Sequence, residues 1–284
     1  MIDVHAHIQS INFPEESLSK MVDLAREAGV TQIVSVSESV FDALDVLNVA
    51  RTSNGLIWPG LGLHPVQPLS KEDNQPRSVT LKDLEEFEPI LQQSISAKEI
   101  CCIGEIGLDF SLHILAKNTH NPSTLSEDEL KNIQRQVFKR QVEMAIDADL
   151  TVNVHSRSAG HHALAILYEC NAKRVIMHAF DGKVSYAKKA VEAGYYFSVP
   201  PSIVRSPEKQ NLVAALPLSH LLLESDSPAL GPQKNVDNTP ANILLAAMEI
   251  ARIKKVDVEQ VVKSETKALL FSLPSKAQKE IKGK

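Results

Sequence analysis

Met1-Ile-Asp-Val-His5-Ala-His7 opens the chain, an apolar run of strand character that ends in two imidazoles two positions apart. On a strand, residues i and i+2 point to the same side, so His5 and His7 can face one ion. The same signature, an apolar run closed by a titratable residue, recurs along the chain. His64 follows the run 56–62, Glu105 and Asp109 follow 100–104, and His155 follows 150–154. His178 follows 174–177, and Glu224 and Asp226 follow 220–223. With the opening run 1–4 and two more at 32–36 and 195–199, eight strands are predicted.

Helical patterns fill the gaps: 16–28, 40–52, 81–96, 127–147, 160–170, 184–193, 207–216 and 240–253. Most of the strand runs are rich in Val, Ile and Leu without polar alternation, as parallel strands covered on both faces are. Eight strands, each followed by a helix, predict an α/β fold: a single (β/α)8 barrel of the TIM type, which needs about 250 residues. A doubly wound open sheet fits less well, because it rarely runs to eight units and no Gly-x-Gly-x-x-Gly follows the first strand. The barrel is expected over residues 1–273, with an extra helix over 258–270 and a lysine-rich tail at 274–284. Barrel enzymes keep their chemistry at the C-terminal ends of the strands. Every titratable residue named above falls there, and the long polar segment 111–126 is a loop on the same face.

Composition removes several classes of function. The net charge of −5 and a pI near 6.1 leave no basic face for tracking along duplex nucleic acid, so any such contact is local. No apolar run reaches the roughly 18 residues that span a bilayer, so no membrane role is expected. The first residues lack the basic and apolar regions of a secretory signal. Three cysteines, Cys101, Cys102 and Cys170, make no disulfide framework and read as small buried hydrophobes in a reducing compartment. A cytoplasmic or nuclear location is expected; no protein partner can be inferred.

His5, His7, Glu105, His155, His178 and Asp226 supply six ligands, of which one carboxylate can bridge. That is enough for two divalent ions with positions left open for water and substrate. Mixed imidazole and carboxylate ligation suits zinc, manganese or magnesium more than copper or iron–sulfur clusters. A single strand-end histidine is more often structural; four of them with two carboxylates at one end of separate strands are not a coincidence. His113, His120, His161, His162 and His220 fall elsewhere and read as solvated or structural. His64 points into the same mouth and is a candidate to position substrate or protonate a leaving group. Arg157 can hold a phosphate oxygen through its forked donors. Asp109 and Glu224 are expected to orient ligands from behind.

As a set, these motifs resemble the TatD family of metal-dependent deoxyribonucleases, within the amidohydrolase-like barrels. The matching pieces are Asp3-Val-His-Ala-His7, Gly62-Leu-His-Pro65, Gly104-Glu-Ile-Gly-Leu-Asp109, Val154-His-Ser-Arg157, His178-Ala-Phe-Asp-Gly182 and Glu224-Ser-Asp-Ser-Pro228. A helix with Gln134, Gln136 and Gln141, and Asn242, have counterparts in the family too. Ser198-Val-Pro-Pro-Ser-Ile203 and Ser227-Pro-Ala-Leu-Gly-Pro232, with Ala179-Phe-Asp-Gly182, resemble an animal subgroup of it. The resemblance implies that His5, His7, Glu105 and Asp226 hold one ion, and that Glu105, His155 and His178 hold the second. It implies a DNA substrate, with 3′ exonuclease action on short or single-stranded ends, and Asp226 orienting or deprotonating the attacking water. One departure falls in the pocket: many members carry His-Cys-Phe-(Ser/Thr)-Gly where this chain has Ala179 and Asp181. The alternative keeps the site and changes the bond, giving a deacylase or amidohydrolase acting on an ester or amide. A non-catalytic scaffold is the third reading, and the intact ligand set counts against it.

Overall fold

Parallel strands without polar alternation need cover on both faces, and the chain winds so as to provide it. The computed structural model describes residues 1–116 and 124–272. Eight parallel strands lie in chain order: β1 (Ile2–Ala6), β2 (Gln32–Val36), β3 (Ile57–Leu61), β4 (Cys102–Gly107), β5 (Thr151–His155), β6 (Val175–Met177), β7 (Tyr196–Val199) and β8 (Leu221–Leu223). The longer helices between and after them are α1 (Glu15–Glu27), α2 (Ala43–Thr52), α3 (Leu81–Ser96), α4 (Glu127–Asp147), α5 (Gly160–Glu169), α6 (Val184–Glu192), α7 (Pro207–Ala215), α8 (Ile243–Lys254) and α9 (Val258–Ser272), and a single helical turn, Leu112–Leu115, lies in the segment 111–126 expected to be loop. The α4 start shows why they begin where they do: Ser126 and Glu129 form a reciprocal capping box. Val137, Phe138, Gln141, Val142 and Ala145 then recur at helical spacing on its buried face.

The barrel is nearly closed, and the closing seam lies at the strand ends. Asp226 N donates to His5 O at 2.9 Å and His7 N donates to Ser227 O at 2.8 Å. A large apolar core fills the space between sheet and helices, and a smaller one fills the interior: Ile2, Val4, Val34, Val36, Trp58, Cys102, Ile176 and Leu222. Alternation from these interior residues carries Asn153, His155, His178, Glu224 and Asp226 inward. It would carry His5 and Glu105 outward. The register slips once in β1, between Asp3 and Ala6, and once in β4, between Ile103 and Ile106. Ala6, Ile103 and Ile106 all join the outer core, so the parity flips across each slip and His5 and Glu105 turn into the mouth.

Four other expectations need correcting. β1 runs two residues past Val4, and β4 starts at Cys102 and runs on to Gly107, so His5 and Glu105 lie within strands rather than after them. Helix α2 starts at Ala43, after Asp42 accepts from Glu38 N, Ser39 N and Ser39 Oγ. Pro240–Asn242 is a 3-10 turn that leads into α8. A hairpin, Val66–Pro68 with Pro76–Ser78, stands between β3 and α3, where no strands are expected. The tail 274–284 and His120 lie outside the described residues. Among the described residues, no helix is long and apolar enough to cross a membrane.

Candidate metal centre

Strands β1, β4, β5, β6 and the turn after β8 bring His5, His7, Glu105, His155, His178 and Asp226 into one buried cluster. Four atoms pack closely: His5 Nε2, His7 Nε2, Glu105 Oε2 and Asp226 Oδ1. The His–His and His–carboxylate distances among them run from 3.3 to 3.5 Å. Ligand atoms about 2.1 Å from one tetrahedral centre stand about 3.4 Å apart, the spacing at which His5 and His7 stand from each other and from both carboxylates; His5, His7 and Asp226 form one set able to hold a divalent ion, and Glu105 joins His5 and His178 in another.

The other oxygen of Glu105 faces a second group. Oε1 lies 2.8 Å from His155 Nδ1, 3.7 Å from His178 Nε2 and 3.8 Å from His64 Nε2. Glu105 thus presents one oxygen to each donor group. His64, read from sequence as lying outside both ligand sets, joins the second. Its Nδ1 is 3.1 Å from both Val66 N and Val66 O, which leaves Nε2 as the atom turned toward the cleft.

Hydrogen bonds behind the cluster aim its members. Asn153 Nδ2 donates to Val4 O at 2.9 Å, and its Oδ1 meets His5 Nδ1 at 2.9 Å. Glu224 takes His178 Nδ1 at 2.8 Å and the Ala179 N–H at 3.0 Å, and also accepts from Ser198 Oγ. Asp109 Oδ2 stands 3.5 Å from His155 Nε2 and 3.8 Å from Arg157 Nη1. Two glutamines on α4 clamp the loops that carry these groups. Gln141 accepts from Leu63 N and donates to Leu63 O; Gln134 does the same for Asp109 N and O. Asn153 and Glu38 are site residues that sequence reasoning missed. Asn153 sits two before His155 and so shares its face of β5, a signal that was available. Glu38 Oε2 reaches within 3.9 Å of His7 Nδ1 from the end of β2. At position 179 the chain uses backbone rather than side chain: Ala179 takes a left-handed φ of 40°, and its carbonyl accepts from Lys209 Nζ at 2.9 Å.

A cleft of about 460 Å³ opens over the cluster, lined among others by His7, Glu38, His64, Asp109 and Arg157. A family model, TatD related DNase, matches residues 2–270. The chain belongs to the TatD family. Human deoxyribonuclease TATDN3 is 42% identical over 274 residues, covering 96% of this chain and 94% of its own. Mouse TATDN3 is 44% identical over 284 residues, covering 99% and 92%. The crystal structure of YJJV, a TatD homolog from Escherichia coli, superposes with a TM-score of 0.77 at 23% identity, covering 96% and 97% of the two chains. More distant relatives include YabD of Bacillus subtilis, named an uncharacterized metal-dependent hydrolase, 26% identical over 94% of this chain and 96% of its own. The TatD chain is accordingly a hydrolase.

Within this TatD site the donors hold one another's charges. Burial opposes charge on His5, but Glu105 and Asp226 outweigh it and hold the ring well above its ordinary value. Burial opposes charge on His7 too, and there Glu38, Asp226 and Glu105 prevail. His155, buried yet flanked by Asp109 and Glu105, is pushed up to about 9. In return, and against burial, His5, His64 and His155 hold Glu105 well below the carboxylate range; His178, His5 and His7 do the same for Asp226. His64 goes the other way, lowered by burial and by His155 beside it. Beneath the cluster, burial raises Asp3 to about 7 despite hydrogen bonds from Ser225 and His5.

Proposed function

We propose that this chain cleaves phosphodiester bonds of DNA with two divalent cations, as a 3′ exonuclease on short or single-stranded ends. The observation that carries the reading is the sharing of Glu105, one oxygen to each of two donor groups. In it His5, His7, Glu105 and Asp226 hold one cation, and Glu105, His155 and His178 hold the other, with His64 at its edge. Zinc, manganese and magnesium all suit such donors. Cations so held lower the pKa of a bound water and neutralise charge growing on phosphoryl oxygens. Asp226 accepts a hydrogen bond from the attacking water and orients it; the histidines around it hold its pKa far below the usual carboxylate range, which makes it an aligning acceptor rather than a strong base. Arg157, with a side chain 56% exposed at the cleft, offers two parallel donors to a phosphate oxygen pair. His64, its pKa lowered by burial and by the neighbouring His155, accepts from Val66 N through Nδ1 and can donate a hydrogen bond from Nε2–H to the departing oxygen. Asp109 and Glu224 keep His155 and His178 aimed.

The names of the human and mouse relatives favour DNA, and the acidic pI favours an end over a long duplex. The deciding assay offers a 3′-labelled single-stranded oligonucleotide and an aminoacyl ester, each with zinc, manganese or magnesium. Stepwise loss of 3′ nucleotides is expected. Turnover of the ester alone would mean that the site serves acyl chemistry instead.

A further inference from the structure

Two cavities open off the metal cluster. Beside the main cleft, a recess of about 240 Å³ is lined by His155, His178, Asp226, Arg157, Asp181 and Lys209, with Ser156, Ala179 and Leu230 closing it. His155, His178, Asp226 and Arg157 line both spaces, so the recess opens directly off the cluster. A linear polymer whose reacting phosphate lies at the cluster has a neighbouring phosphate about one nucleotide away, and the recess adjoins the cluster to receive it.

Two cations face the recess. Lys209, in the first turn of α7, uses one of its three ammonium donors on Ala179 O at 2.9 Å. Its position is built from two sides: Ser206 caps the helix by accepting from Lys209 N, and Ala179 is pinned by its own N–H to Glu224. Arg157 stands opposite, 3.8 Å from its nearest carboxylate, Asp109, and so outside hydrogen-bond reach of it. The main cleft shares Arg157 but has the acidic Glu38 on its rim where the recess has Lys209, so the amine that distinguishes the recess favours an anion there.

We propose that the recess holds a second phosphate, the one next in line to the phosphate being hydrolysed, with Lys209 as its specificity-determining contact and Arg157 shared between the two. This rests on the phosphodiesterase reading above. The second phosphate is either the next link of the strand or a terminal monoester; both present the same oxygens to the two cations. Asp181, exposed at the recess and facing Lys209 electrostatically, keeps the empty cation balanced and is the residue by which this chain departs from the commoner motif.

The test uses the metal-loaded full chain and four substrates. Bis(p-nitrophenyl) phosphate and a thymidine dinucleotide carry one phosphate; the trinucleotide and the dinucleotide with a terminal phosphate carry two. Wild-type enzyme should show a KM at least roughly tenfold lower on the two-phosphate substrates, the value of one charged hydrogen bond. In Lys209→Met that advantage should vanish through KM with kcat unmoved, and Lys209→Arg should restore most of it. Preference for the trinucleotide over the end-phosphorylated dinucleotide, or the reverse, tells which source the recess takes. If Lys209→Met keeps the advantage, or loses kcat equally on every substrate, the recess is not a phosphate site. If wild-type enzyme hydrolyses none of the four, the phosphodiesterase reading itself fails.

Discussion

Asn153 fixes the position of a proton. Its amide nitrogen faces the Val4 carbonyl, so its oxygen must face His5 Nδ1, which therefore carries the hydrogen and leaves Nε2 with a free lone pair. Glu224 does the same for His178. Partners of this kind are worth roughly 10- to 100-fold in metal affinity. Asn153→Ala should accordingly weaken the cation position that includes His5 by about that factor. Competition against a chelator of known affinity measures it, and an unchanged constant would remove the role. The histidines and carboxylates at strand ends were legible in the sequence because their chemistry marks them there, whereas Glu38, two residues past β2, was not. For Asn153 only its place on the face of His155 was legible, since an asparagine on a strand has no reaction of its own and acquires a purpose only when Val4 and His5 are brought to either side of it.

At the scale of elements, the barrel was legible because eight apolar runs and eight helical patterns admit few arrangements. The edges of β1 and β4 were not. Reading a strand by its apolar residues stops it at the first charge, whereas the backbone ladder continues through His5 and Glu105. Nor could the register slips be seen, because they are set by pairing with neighbouring strands. The glutamines of α4 illustrate the same limit: Gln134 and Gln141, seven apart on one face, look like polar residues on a buried stripe until they meet the loops. Gln141→Leu should leave Leu63 N and O unpartnered in the interior, at a cost of about 1–3 kcal/mol for each group. A urea titration should show the midpoint falling with the slope unchanged. A midpoint equal to wild type would show that water or a shifted loop satisfies Leu63 instead.

For the molecule as a whole, the cluster couples stability to pH, with opposite sign in the presence and absence of cations. In the metal-free fold His155 is raised from 6.5 to about 9, and His5 and His7 move the same way. Their contribution is complete below the unfolded value, near pH 6.5, and is lost as pH climbs through about 9. Glu105 and Asp226 are depressed, so theirs is present above the ordinary carboxylate range and lost only in acid. Cation binding needs the histidines deprotonated, so protons compete with it less as pH rises over the same window. The gap in melting temperature between metal-loaded and chelator-treated protein should therefore widen from pH 6 to pH 9. A gap that stays constant or narrows would show that these histidines are not the ligands.

The seam at which β8 meets β1 also imposes an order in time. Ser225 N donates to Asp3 Oδ1 across 222 positions of sequence, beside the bonds that join His5 to Asp226 and His7 to Ser227. Asp3, His5 and His7 must wait for residues some 222 positions later in the chain before either set has its partner. No nascent or truncated chain that stops short of Asp226 can assemble the cluster, however many of its other members have already emerged. Synthesis of this protein thus carries its own checkpoint: competence arrives in one step, when the final strand closes on the first.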